Sequence, residues 1–106
     1  MDKENKKPNQ LQIELDKETA QGEYSNLAII THSPAEFILD FAQVLPGLPK
    51  ANVKARIIMT PSHAKTLLMI LQDNVRKFEE KYGEIKMVKP GGQGFEVKVP
   101  KDTLPN

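Results

Sequence analysis

The chain contains no cysteine and no tryptophan, and only 6% of its 106 residues are aromatic. Without thiols, disulfide staples, thiolate nucleophiles and cysteine-ligated zinc are excluded. With so few aromatic faces, single-stranded nucleic acid finds little to stack on. Charge of one sign is also missing. Fifteen Lys and Arg stand against fourteen Asp and Glu, a formal net charge of +1, so no global field draws the protein to nucleic acid or to an anionic membrane. No apolar run approaches the length of a membrane span, and the opening MDKENKKPNQ holds no apolar signal core. The expected location is the cytoplasm, with no membrane partner.

What remains is an ordinary soluble balance, 39% hydrophobic and 27% charged. The length suits one small domain, at a size where oligomeric burial adds usefully to the core. Residues 1–10 read as a flexible polar tail, 11–89 as a single domain, and 90–106 as a flexible tail with a short edge strand at 95–99. The Pro90-Gly91-Gly92-Gln93-Gly94 joint separates the last two.

Within the domain, Leu11, Ile13 and Leu15 alternate with Gln12, Glu14 and Asp16, which predicts a half-buried strand over 11–16. A second strand is predicted over 24–32, centred on Leu27-Ala28-Ile29-Ile30. Ser33-Pro34-Ala35-Glu36 supports two readings. It makes a good helix start, with Phe37, Ile38, Phe41, Ala42 and Leu45 on one face. It makes an equally good turn, after which Phe37, Leu39 and Phe41 alternate along a strand over 36–45. Pro46-Gly47-Leu48-Pro49 ends either element. A further strand is predicted over 51–59, with Val53, Ala55, Ile57 and Met59 on one face and Asn52, Lys54, Arg56 and Ile58 on the other.

Thr60-Pro61 then opens a long helix, with Thr60 as N-cap and Pro61 at the first helical position. Its apolar stripe runs Ala64, Leu67, Leu68, Leu71, Val75, Phe78 and Tyr82, and Gly83 is the stop signal. Met69 and Ile70 fall off the stripe, either as scattered surface hydrophobes or as a second contact face for another subunit.

Chemistry-bearing residues are sparse. His32 and His63 have no second ligand at metal spacing, so no metal site is expected. Asp40 lies among apolar residues, and its expected role is an ion pair with Arg56 or Lys54 across strands rather than general-base work. Ser25, Ser33 and Ser62 sit where hydroxyls cap turns and helices. Gly91-Gly92-Gln93-Gly94 lacks the Lys-Ser/Thr of a phosphate loop. These residues predict a non-enzymatic protein with no cofactor. An alternative is nucleic-acid binding through a basic strand face bearing Lys54 and Arg56, after the manner of ribbon-type DNA readers. Those proteins follow the strand with two short helices, whereas this stripe runs unbroken from Ala64 to Tyr82.

Taken together, His32-Ser33-Pro34, Glu36-Phe37, Leu39-Asp40-Phe41, Leu45-Pro46-Gly47, Arg56, Met59, Pro61 and His63-Ala64-Lys65 before Leu67 resemble a bacterial and archaeal family, domain of unknown function 3467, over roughly residues 11–85. The resemblance implies no activity or site. It implies that the Glu36–Phe41 segment is a strand. The resulting order, four strands and then a helix, is similar to that of the export chaperone SecB, whose protomer has four antiparallel strands before its long helices and assembles into tetramers. This chain has one long helix where SecB has two.

The expected architecture is therefore α+β: a four-stranded antiparallel sheet (11–16, 24–32, 36–45, 51–59) with one long C-terminal helix, 61–82, packed on one face. If 34–45 is helical, it becomes βαβα. The expected function is a homo-oligomeric binding or scaffold protein, with SecB-like polypeptide binding as one version. Its contact residues would be the apolar side chains left over once the core is filled: Ile38, Ile58, Met69 and Ile70.

Overall fold

A computed structural model describes residues 10–88. The expected tails, apart from Gln10, and the edge strand at 95–99 lie outside the described residues. The element order is α1 (Lys17–Ala20), β1 (Leu27–His32), β2 (Phe37–Gln43), β3 (Asn52–Met59) and α2 (Pro61–Tyr82). The three strands form an antiparallel meander in the order β1-β2-β3. The architecture is α+β with an antiparallel sheet and a C-terminal helix, but the sheet has three strands, not four.

The strand expected over 11–16 does not form. Leu11, Ile13 and Leu15 are 84%, 86% and 68% exposed, and Asp16 instead caps α1, its carboxylate accepting from the Thr19 N–H at 3.4 Å. Period-two alternation marks a strand only where a neighbouring strand supplies the ladder. None of the sheet's strands pairs with this segment.

Ser33-Pro34-Ala35-Glu36 is a turn. The Ser33 hydroxyl accepts from the N–H groups of Ala35 and Glu36, each at 3.3 Å, and the Ser33 N–H donates to the Glu36 carbonyl at 2.9 Å. The hydroxyl thus does for a hairpin what it would do at a helix N-cap. The choice is made by β1 and β3, which pair with β2 on both sides along its length. At the other end, Asn26 extends the β1–β2 ladder with its side chain. Its Nδ2 donates to the Val44 carbonyl at 2.9 Å and its Oδ1 accepts from the Val44 N–H at 2.7 Å. Between β2 and β3, the Leu48 N–H closes a turn on the Leu45 carbonyl at 3.2 Å, with Pro46 and Gly47 (φ +81°) at its centre. Proline first and a positive-φ glycine second is the type II arrangement.

Register sorts the side chains. Ile30, Leu39 and Ile57 share one face with His32, Phe37 and Met59, and Ile29, Asp40 and Arg56 share the other with Thr31, Ile38 and Ile58. Leu27, Ile38, Leu39 and Ala42 are the buried apolar residues among those described, three of them on the central strand. A bulge separates the Phe41↔Ala55 and Ala42↔Val53 pairs and leaves Lys54 as the extra residue. That slip interrupts the alternation expected along β3.

Candidate interaction surface

The long helix is closed at both ends by local chemistry. Thr60 Oγ1 accepts from the His63 N–H at 3.2 Å, and Pro61 occupies the first turn. Gly83, at φ +101°, ends the helix and donates its N–H to the Glu79 carbonyl at 2.9 Å, while the Glu79 carboxylate accepts from the Ile85 N–H at 2.9 Å. The polar face carries a ladder of ion pairs. Arg76 reaches Asp73 at 2.6 Å and Glu80 at 2.8 Å, and Lys77 reaches Asp73 at 3.1 Å. Donation from Arg76 and then Lys77 holds the Asp73 carboxyl below the ordinary carboxylate range. Such exposed pairs support a helix locally but anchor it to nothing.

The apolar face is likewise unanchored. No residue of α2 is buried, and Leu68, Leu71, Phe78 and Tyr82 are 54%, 57%, 48% and 66% exposed. The expectation that the helix lies packed on the sheet is therefore corrected. Only its first turns overhang the Leu39 face, enclosing a cleft of about 450 Å³ between Ile30, Phe37 and Leu39 on the sheet and Pro61, Ala64, Lys65 and Leu68 on the helix. Thr60 alone separates β3 from α2, and its cap bond to the His63 N–H fixes where the helix starts. At the far end the Phe78 and Tyr82 rings lie 4.8 Å apart, with Lys81 Nζ 5.3 Å from the Tyr82 ring centre.

On the opposite sheet face, Asp40 is 2% exposed and receives both Nε and Nη2 of Arg56, at 2.7 and 2.9 Å. This is the cross-strand pair expected from the sequence, with Arg56 as the partner. The two donated bonds outweigh desolvation and hold the Asp40 carboxyl below its ordinary range, and they push Arg56 above its own. A fork-to-fork pair of this kind fixes register more than it supplies a reactive group.

The residues expected to carry contacts fall in different places. Ile38 is fully buried and unavailable to a partner, because the central strand places it between β1 and β3. Ile58 is 47% exposed on the Asp40 face, and Met69 and Ile70 are 59% and 55% exposed on α2, off its stripe. Lys54 is exposed at the bulge, whereas Arg56 is engaged by Asp40. The structure sets Ile38 opposite Ile58 with Arg56 on the same sheet face, whereas Lys54 stands at the bulge and Met69 and Ile70 lie on α2. The larger open surface is the stripe itself, which its periodicity alone assigns to the core. The unbroken spacing is legible in the sequence; the exposure is not. Among the described residues no group of three or more His, Asp or Glu side chains is placed to hold a metal ion. No helix among them is long and apolar enough to cross a membrane.

The family model described as "Protein of unknown function (DUF3467)" matches residues 1–87. The chain belongs to that family. The match contains the whole stretch that carries the resemblance, from the exposed segment before α1 to the end of α2. Comparison with curated proteins and with solved structures gives no match.

Proposed function

We propose that this chain is a non-enzymatic, cytoplasmic binding or scaffold protein that works as a homo-oligomer assembled through the apolar face of α2. The observation that carries this reading is a helix with no buried residue and a continuous apolar stripe. Most helical stability in proteins comes from burying an amphipathic face. An apolar face of this extent left open in water marks an interaction surface. SecB-like holding of extended polypeptide is the version that the outer sides of β1 and β3 support, since they pair with no strand among the described residues and edge strands are where extended segments add. Ile58, Met69 and Ile70 are then secondary contacts outside the stripe. Nucleic-acid binding has less support, because Arg56, one of its two expected cations, is committed to Asp40.

The test is sedimentation equilibrium across a concentration range for wild type, Leu71→Lys on the stripe and Thr66→Lys on the polar face. The expected result is a wild type and a Thr66 variant above protomer mass, with Leu71→Lys shifted to the protomer. A wild type that stays at protomer mass throughout overturns the reading.

A further inference from the structure

The order of residues in the stripe carries more than its openness. Ala64, Leu68, Leu71, Val75, Phe78 and Tyr82 are separated alternately by four and three residues without a break. This is the spacing of a seam at which two helices cross at a shallow angle. We propose that the occupant of this face is a second copy of the same chain, its α2 running antiparallel, with Ala64 of each copy opposite Tyr82 of the other. The inference rests on the homo-oligomer reading above and adds partner orientation and register to it.

Three features of the chain favour this pairing. In the antiparallel register the layers become Ala64 with Tyr82, Leu68 with Phe78, and Leu71 with Val75, so large side chains meet smaller ones throughout. A parallel, in-register pair would instead stack Tyr82 on Tyr82 and leave Ala64 facing Ala64. Second, Lys65 and Glu79 flank the seam on one side. Antiparallel pairing sets Lys65 of each copy beside Glu79 of the other, making two opposite-charge pairs. Within one helix the two residues are about 21 Å apart and do not meet. The parallel pair offers no such match, since it places Asn74 against Glu79 and Leu67 against Gln72. Third, the cleft lies at the Ala64–Leu68 end of α2, against Ile30, Phe37 and Leu39. The antiparallel partner brings Phe78 and Tyr82, 48% and 66% exposed in the single chain, to that end. The cleft and the unburied aromatic pair are then two halves of one contact, formed twice across the two-fold axis.

The absence of cysteine makes the test direct. Ala64→Cys and Tyr82→Cys are prepared as separate full-length variants and oxidised alone and as an equilibrated equimolar mixture. Positions 64 and 82 lie about 27 Å apart along the helix, so the expected result is covalent dimer in the mixture and none in either variant alone. Self-linking by either single variant, or no link in the mixture, overturns the antiparallel register. If a cysteine variant fails to fold, charge reversal decides. Lys65→Glu and Glu79→Lys should each weaken self-association by about tenfold, and the double variant should regain it. Because Glu79 also accepts from the Ile85 N–H, the readout is recovery of the double variant relative to Glu79→Lys, and no recovery overturns the pairing. A wild type at protomer mass sinks the homo-oligomer reading itself. An oligomer whose single variants self-link sinks only the orientation.

Discussion

Leu71→Ala separates a helix that belongs to its own core from one that waits for a partner. Leu71 sits at the middle of the stripe and is 57% exposed. The substitution removes three carbons, worth about 2.4 kcal/mol at about 0.8 kcal/mol each when fully transferred from water. Only the exposed share, about 1.4 kcal/mol per protomer, is gained on association. A two-fold contact uses the residue twice, so dimer dissociation should ease by about 2.7 kcal/mol, or about 100-fold in Kd. Stability of the dissociated chain should fall by only about 1 kcal/mol, the share already covered in the single copy. Sedimentation velocity over a dilution series gives the first quantity, and urea denaturation below the dissociation constant gives the second. An unchanged Kd with a stability loss of about 3 kcal/mol or more, the range for a fully buried leucine, would refute the reasoning by placing Leu71 inside the protomer core.

The other expectations are local. Thr60→Ala removes the acceptor of the His63 N–H and should cost about 1 kcal/mol in chemical denaturation, with Thr60→Ser recovering most of it; equal loss in both would show that the cap bond is not the cause. Gly83 holds φ +101° with open space where a side chain would begin, so Gly83→Ala should lose about 1–3 kcal/mol in the same assay through backbone strain alone. Asp40 is held below its ordinary range by Arg56. Its contribution to stability is therefore complete above about pH 3.9 and lost as pH falls through the lowered folded value. Urea midpoints taken from pH 7 down to pH 2 should decline less steeply for Asp40→Asn than for wild type, and parallel curves would show that Asp40 titrates alike in both states.

What could be read from the residues was whatever short-range chemistry decides. Helix 61–82 ends where Thr60, Pro61 and Gly83 place its ends, because caps act within one turn and need no other part of the chain. The Asp40–Arg56 pair follows from two adjacent strands of alternating pattern, and the bulge falls beyond it, between Phe41 and Ala42. Tertiary structure decided the rest. Ser33-Pro34-Ala35-Glu36 has the hydrogen-bonding capacity for a helix start or a hairpin, and ladder pairing of β2 on both sides selects the hairpin. The alternation over 11–16 is as regular as that of a true strand, yet the segment pairs with no strand among the described residues and stays exposed. The stripe from Ala64 to Tyr82 states that a face of α2 must be covered, and only its exposure in the folded chain shows that the sheet leaves it open. Periodicity specifies which side chains point the same way. Burial depends on what lies opposite them, and that is a property of the assembled elements rather than of any window of sequence.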